Sequence, residues 1–405
     1  MPVPSPLPSP THGNLVREVF LVFLRLGLTS FGGPIAHLGY FRTEFVERRK
    51  WLDEEHYADI VALSQFLPGP ASSKVGITLG LLRAGIVGAI VAWIGFTLPS
   101  AFALMLFGYG VAWLGDLGNA PWLHGLKIVA VAVVAQAVWN MARTLAPDRD
   151  RASLAIGAAI LALAIPTTLG QVGGILLGGL IGRLLLPGEV IGAAPLPLEV
   201  GRGLSIGAIA IFFALLVGLP FAALATGDHT IELIDRFYRS GSLVFGGGHV
   251  VLPLLQAAVV PPGWVGNDSF LAGYGAAQAV PGPLFTFAAY LGTVMGPAPN
   301  GWGGGAICLA AIFLPSFCLA IGPLPLWSWL RRLPAMRSAL KGVNAAVVGL
   351  LLAALYRPVW TSTILAPADF TLALGAFLLL MFWKVPPWLV VILGALASWG
   401  VARLA

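Results

Sequence analysis

Long apolar stretches recur along nearly the whole chain of 405 residues, and the polar residues are concentrated in short segments between them. Residues 85–114, 123–145, 204–225 and 303–330 are each long enough to cross the ~30 Å hydrocarbon core of a bilayer as a helix. None of these stretches shows the strict alternation of polar and apolar residues that is typical of membrane β-barrel strands. The pattern therefore predicts an all-α polytopic integral membrane protein in a lipid bilayer.

Composition and charge support this prediction. Hydrophobic residues make up 58% of the chain and charged residues only 10%, whereas roughly a quarter of the residues in a soluble domain are charged. The net charge of +6 comes from basic residues beside apolar stretches, which indicates membrane topology rather than binding of nucleic acid. Cys308 and Cys318 would lie about 15 Å apart on one helix, too far for a disulfide bond. We expect no metal site and no cofactor.

The chain contains two related halves, which align when the sequence is shifted by 213 or 214 residues. The matched pairs include rare residues in a fixed order: Arg25 with Arg239, Phe31-Gly32-Gly33 with Phe245-Gly246-Gly247, Gln65 with Gln278, and Pro68-Gly69-Pro70 with Pro281-Gly282-Pro283. Repeats of this length indicate duplicated structural units. We divide the chain into a Pro-rich disordered tail (1–14), an N-terminal repeat (15–190), a linker (191–203) and a C-terminal repeat (204–405).

Basic residues are distributed oppositely in the two halves. The loop 41–57 is rich in Arg and Lys, but its counterpart 255–270 has neither; residues 327–341 are basic, but their counterpart 113–127 contains Lys127 alone. Because Lys and Arg favour cytoplasmic loops, the two halves are predicted to be inverted repeats, an arrangement typical of secondary transporters. Inversion requires an odd number of crossings, and five are available if residues 15–41 and 58–82 are re-entrant. We expect about ten to thirteen membrane segments.

The Phe-Gly-Gly and Pro-Gly-Pro motifs predict broken or re-entrant helices, because proline lacks a backbone donor and glycine weakens a helix. Irregular backbone at membrane depth is tolerated where it is buried in protein or lines a wet cavity. A half-helix that starts after such a break presents free N–H groups, which bind anions. A simple proline kink is the structural alternative. The predicted substrate-binding residues are Arg25, Phe31, Gly32, Gly33, Gln65, Pro68, Gly69, Pro70, Ser72, Lys74, Arg239, Phe245, Gly246, Gly247, Gln278, Pro281, Gly282 and Pro283.

Several charged and titratable residues in these segments have two interpretations. Arg25 and Arg239 are equivalent, and they either face an anionic substrate or extend to the lipid headgroups. Lys74 faces the substrate or a cytoplasmic vestibule. His37 and His249 follow the two Phe-Gly-Gly motifs, and they either couple transport to protons or are hydrogen-bonded residues near helix ends.

The two copies "FGGPIAHLG" and "FGGGHVVLP", each followed by a Q-x-x-P-G-P segment, resemble the chromate ion transporter (CHR) superfamily, and in particular its long, two-domain members. The resemblance implies a multi-pass carrier in the inner (plasma) membrane. Such a carrier would export chromate, driven by the proton motive force, and would confer chromate resistance. Gly248 departs from the motif of the first half, which has Pro34 at the equivalent position.

The sequence leaves other functions open. Sulfate, molybdate or another oxyanion could be the substrate, in either direction, and a channel or lipid scramblase is a more distant alternative. A homodimer is also left open. An enzyme is not expected, because the chain shows no nucleophile–base pair and no cluster of metal ligands at membrane depth.

Overall fold

The computed structural model describes residues 12–113, 121–188, 200–327 and 333–404. Within these ranges the chain is helical and has no β-strand, which confirms the predicted fold class. The helices are α1 His12–Thr29, α2 Gly33–Phe41, α3 Glu54–Phe66, α4 Ala71–Trp113, α5 Pro121–Leu145, α6 Arg149–Ala164, α7 Thr168–Leu185, α8 Arg202–Thr226, α9 His229–Ser242, α10 Val251–Val259, α11 Asn267–Ala277, α12 Phe287–Val294, α13 Gly301–Ile321, α14 Pro334–Ala354, α15 Pro367–Met381 and α16 Pro387–Leu404. Two π-helical segments, Arg42–Arg48 and Leu355–Trp360, extend α2 and α14.

Five of the described helices are long and apolar enough to cross a membrane: α4, α5, α8, α13 and α14. Shorter apolar helices, α7, α15 and α16 among them, accompany these five. The protein is therefore a multi-pass membrane protein. Helices α3, α6 and α9 are each capped by an aspartate at their start. The side chains of Asp53, Asp148 and Asp228 each accept a hydrogen bond from a backbone N–H of the first helical turn.

The first half begins with two helical hairpins, as the broken motifs predicted. Helix α1 and the π-helical extension of α2 run side by side in opposite directions. Two ion pairs between them show this order: Arg25 pairs with Glu44, and Glu18 pairs with Arg49. Helix α3 and the first arm of α4, residues 71–83, form the second hairpin around the Pro-Gly-Pro triplet, and their apolar side chains share one core with α1. Both hairpins return to the side from which they started.

Helix α4 reverses at Ala84 and Gly85, which have non-helical backbone angles. Its arms then pack so closely that a side chain on Gly80 would collide with the carbonyl of Gly88. The second half repeats this contact between Gly292 of α12 and Gly304 of α13. Hairpins equivalent to those of the first half are formed by α9 with α10 and by α11 with α12. The structure therefore repeats the same layout in both halves.

Four further helices follow the hairpins of each half. In the first half they are the second arm of α4, then α5, α6 and α7; in the second half they are α13 to α16. In chain order, helix α8 comes after α7 and before α9, and its sequence aligns with no part of the first repeat. It precedes the second pair of hairpins and is long and apolar enough to cross a membrane.

Helices that follow the hairpins of one half pack against helices of the other half. Helix α14 of the second half packs on α6 and α7 of the first, where Gly342 contacts Gly178 and Gly349 contacts the Ala155 carbonyl. Helix α5 of the first half packs on α15 and α16 of the second, and Gly125 lies against Gly394. Glycine permits these close approaches because it lacks a side chain. The halves therefore interlock rather than forming two separate bodies.

The predicted tail and linker lie mostly outside the described residues. Residues 1–11 and 189–199 are not described. Residues 12–14, which we expected to belong to the tail, form the first turn of α1, and residues 202–203 of the linker begin α8.

Candidate functional site

The four broken motifs meet at the centre of the protein through two equivalent backbone hydrogen bonds. The N–H of Gly69, in the first Pro-Gly-Pro triplet, donates to the Val244 carbonyl at 2.7 Å, just before the second Phe-Gly-Gly motif. The N–H of Gly282, in the second triplet, donates to the Ser30 carbonyl at 2.9 Å, just before the first Phe-Gly-Gly motif. Each triplet is therefore held by the opposite half.

Glycine is required at the centre of both triplets. Gly69 and Gly282 each have a φ of +98°, in the left-handed region that residues with side chains rarely adopt. A Cβ atom on Gly69 would lie 3.2 Å from the Ser316 hydroxyl, and one on Gly282 would lie 2.8 Å from the Ser100 hydroxyl. Both serines follow a proline in a crossing helix, so each break packs on the second arm of α4 or on α13.

A cavity of about 1040 Å³ lies beside this junction. Its walls come from both Phe-Gly-Gly motifs, from α2, from the end of α3 and the start of α4, from α5, from α14 and from the α15–α16 connection. Four carboxamide side chains line it: Gln65, Gln136, Asn140 and Asn344. Lys384 also contributes. Among the described lining residues there is no Asp or Glu, so the cavity is polar without being acidic.

The structure brings some of the predicted site residues to the cavity and leaves others out. The residues that line the cavity are Phe31, Gly32, Gln65, Gly69, Gly246, Gly247 and His249. The residues that are not among its lining residues are Arg25, Gly33, His37, Pro68, Pro70, Ser72, Lys74, Arg239, Phe245, Gln278, Pro281, Gly282 and Pro283. The second triplet thus belongs to the junction behind the cavity and does not form its wall.

The two equivalent arginines do not reach the cavity, because each is held by a carboxylate. The Arg25 guanidinium donates to Glu44 at 2.5 Å, and the same buried carboxylate also accepts from Arg48 and Arg49. Arg239 pairs with Asp235, four residues earlier on α9. The prediction that these arginines face the substrate is therefore not matched by their position in this conformation.

Lys74 is fully buried behind the first break. Its Nζ atom donates to the Leu67 carbonyl at 2.5 Å and to the Pro68 carbonyl at 2.7 Å. These two carbonyls lie at the end of α3, where the helix leaves its last carbonyl groups without helical partners. Phe287 stands at the equivalent position of the second half, so only the first break is held by a buried lysine.

The two histidines have different surroundings. His37 is buried and lies 3.2 Å from the Ser30 carbonyl and 3.3 Å from the Ser72 hydroxyl, which ties the first Phe-Gly-Gly motif to the first triplet. His249 lines the cavity, and its Nδ1 atom lies 2.7 Å from the Tyr274 hydroxyl. Only His249 is positioned to exchange protons with the cavity.

Four residues line the cavity but were not predicted from the sequence: Gln136, Asn140, Asn344 and Lys384. The first three are isolated polar residues within otherwise apolar crossing helices. Polar residues of this kind usually face the interior of a helical bundle, which is the signal that could have identified them. None of the three has a polar counterpart in the other half.

Comparison with known proteins agrees with the fold. The sequence profile of the chromate transporter family matches residues 17–183 and 231–399, one segment in each half, and leaves α8 between the two. A chromate transport protein of Cupriavidus metallidurans is 25% identical over 396 residues, which cover 93% of this chain and 90% of that protein. A chromate transport protein of Pseudomonas aeruginosa is 27% identical, with 86% and 80% coverage.

A probable chromate transport protein of Synechococcus elongatus is 24% identical and covers 95% of both chains. No solved structure shows significant similarity to the chain. The matched segments include both Phe-Gly-Gly motifs and both Pro-Gly-Pro triplets, and they span most of the chain. The chain belongs to the chromate transporter family.

Proposed function

We propose that this protein is a secondary carrier that exports chromate from the cytoplasm across the inner membrane, driven by the proton motive force. The observation that carries the proposal is the central cavity, where broken helices from both halves meet and the described lining contains amide groups and a lysine but no carboxylate. A carrier of this kind would confer resistance to chromate.

The chemistry of the cavity suits a tetrahedral dianion. The side chains of Gln65, Asn140 and Asn344 can each donate N–H groups to oxyanion oxygens. The first arm of α4 begins at Ala71 on the cavity wall, so its free N–H groups and positive end add to the attraction. Lys384 adds a positive charge. The shared chemistry of chromate, sulfate and molybdate means that these oxyanions compete for the same groups.

The helix order supports a cavity that opens to the cytoplasm. With α8 as a fifth crossing after the four helices that follow the first hairpins, the basic loop after α2, the α5–α6 connection and the starts of α8 and α14 fall on one side. Lys and Arg concentrate there, which is typical of the cytoplasmic side. Tyr40, Thr144 and Lys384 lie at the cavity end nearest this side. We infer that the structure is an inward-facing state.

Proton coupling is assigned to His249. Its imidazole lines the cavity and shares a hydrogen bond with Tyr274, which is itself buried. Gain or loss of a proton at this ring changes the charge that a bound dianion experiences. His37 is instead assigned a structural role, because both of its nitrogens are held within the first half.

Everted membrane vesicles test the proposal, because export then appears as uptake. Vesicles from cells that express the protein should accumulate labelled chromate at a saturable rate when respiration energises them, and a protonophore should abolish the uptake. Vesicles without the protein are the control. Strong inhibition by sulfate or molybdate, with little chromate accumulated, would reassign the substrate. Uptake that does not saturate and ignores the protonophore would indicate a channel and contradict the proposal.

A further inference from the structure

An ion pair closes the second half on the side opposite to the cavity mouth. The Lys127 ammonium of α5 donates to the Asp268 carboxylate of α11 at 2.9 Å. A side chain on Gly275, two turns beyond Asp268 on α11, would come within 2.5 Å of the carbonyl of Leu126, the residue before Lys127 on α5. Helices α5 and α11 are therefore in direct contact, with the ion pair at the outer end of that contact.

The repeat predicts an equivalent ion pair in the first half. A shift of 214 residues aligns Lys127 with Lys341 of α14, and the same shift aligns Arg143 with Arg357 further along these helices. A shift of 213 residues aligns Asp268 with Glu55 of α3, in register with the Gln65 and Gln278 match. Both charges are thus retained in the two halves, although neither lies in one of the glycine or proline motifs.

The equivalent pair is not formed in this conformation. Glu55 is exposed, and none of the described ion pairs includes it, while Lys341 donates to the Pro187 carbonyl at 2.9 Å. Helices α3 and α14 both line the cavity, through Gln65 and Asn344, and have no packed contact comparable to that of α5 with α11. Ala62, the counterpart of Gly275, is exposed.

We propose that Glu55 and Lys341 form the ion pair that closes the cytoplasmic side in the outward-facing state, when the Lys127–Asp268 pair opens. The proposal rests on the proposed function as an alternating-access carrier. In inverted repeats, each half can adopt the conformation that the other half shows, so the contacts of α5 with α11 describe those that α14 and α3 make after the change.

The energetics suit a reversible gate. The Asp268 side chain is 54% exposed but the Lys127 side chain is only 9% exposed, so opening of the pair requires water to reach the ammonium group as α5 and α11 separate. Water that enters on opening hydrates the separated charges, so substrate and proton binding can decide between the two states.

Paired cysteines test the gate directly, in a background where the native Cys308 and Cys318 are replaced by alanine. In membranes, Glu55→Cys with Lys341→Cys should cross-link through a short bifunctional maleimide, and the linked protein should no longer react with a cytoplasmic maleimide at a third cysteine, Gln65→Cys. The matched pair Lys127→Cys with Asp268→Cys should also cross-link but leave Gln65→Cys reactive. If only the matched pair cross-links, the proposal is wrong.

Charge exchange provides a second test. Glu55→Lys and Lys341→Glu should each lower the initial transport rate by about fivefold, and the double variant should recover most of that loss. Glu54→Lys, next to Glu55 but paired with Arg42, should not rescue Lys341→Glu. Losses that simply add in the double variant would contradict the proposal. Because cross-linking is read on the protein itself, a wild type that carries no chromate would overturn the proposed substrate and not the gate.

Discussion

Pro34 and Gly248 occupy the same position in the two Phe-Gly-Gly motifs, and they touch each other across the centre of the protein. A Cβ atom on Gly248 would lie 3.3 Å from Cγ of the Pro34 ring. The Pro34 ring thus fills the space beside Gly248. The two positions cannot both carry a large side chain at the same time. This contact explains why the second motif departs from the first.

Gly248→Val should weaken the junction, because its side chain would press on the Pro34 ring. We expect a clear fall in thermal stability and loss of chromate uptake. Pro34→Ala removes the ring and should restore part of both properties in the double variant. If Gly248→Val lowers thermal stability and chromate uptake equally with and without Pro34→Ala, the contact between residues 34 and 248 is not the cause of the defect.

Gly282→Ala should impair the protein more than Gly69→Ala. Both substitutions force a side chain to a φ of +98°, which costs about 1–2 kcal/mol. The new methyl group in Gly282→Ala lies closer to the Ser100 hydroxyl than the one in Gly69→Ala lies to the Ser316 hydroxyl. Gly263→Ala is the matched control, because it has a positive φ and open space around it. Melting temperatures of the purified variants give the order.

Asn140→Asp tests the absence of acidic groups from the described cavity lining. A carboxylate there should repel a dianion and raise the chromate concentration for half-maximal uptake by about tenfold or more, while protein levels stay normal. Asn300→Asp, at the start of α13 and outside the cavity lining, should have little effect. An unchanged concentration dependence in Asn140→Asp would remove the cavity as the substrate site.

Lys74→Met should act through stability and not through substrate affinity. The substitution leaves the buried carbonyls of Leu67 and Pro68 without their donor, which costs about 1–3 kcal/mol. The melting temperature should fall, and the remaining uptake should keep the wild-type dependence on chromate concentration. A normal melting temperature with weakened affinity would place Lys74 in contact with the substrate.

Opposite orientation of the two halves can be measured in intact cells. Cysteines introduced near Arg48 and near Trp264, which are equivalent regions of the repeats, should react with a membrane-impermeant maleimide from opposite faces. The cysteine near Trp264 should be labelled from outside. Labelling of both positions from the same face would show that the repeats are parallel.

The duplicated glycine and proline motifs made the hairpins and the repeat predictable, because these residues restrict the backbone wherever they occur. The partners of the charged residues were not predictable in the same way. Equivalent arginines pair with carboxylates from unrelated positions, Glu44 from the extension of α2 and Asp235 from the preceding turn of α9. Such partners depend on which helices pack together, and a single sequence does not contain that information.

The role of α8 and the exchange of α14 were also missed. An apolar helix looks the same in sequence whether it belongs to a repeat or connects two of them. Gly178 and Gly182 of α7 lie against Gly342 of α14, and spaced glycines in an apolar helix do not identify such a partner without the structure.

The interlocked helices affect how the chain is made. Helices α6 and α7 leave the ribosome and enter the bilayer long before α14 is synthesised, so the glycine-lined face that α14 will cover is first exposed to lipid. The first half must therefore wait, inserted but incomplete, until the chain has been extended beyond residue 354. If the two halves were produced as separate polypeptides, each would lack a central helix of its own bundle until the other arrived.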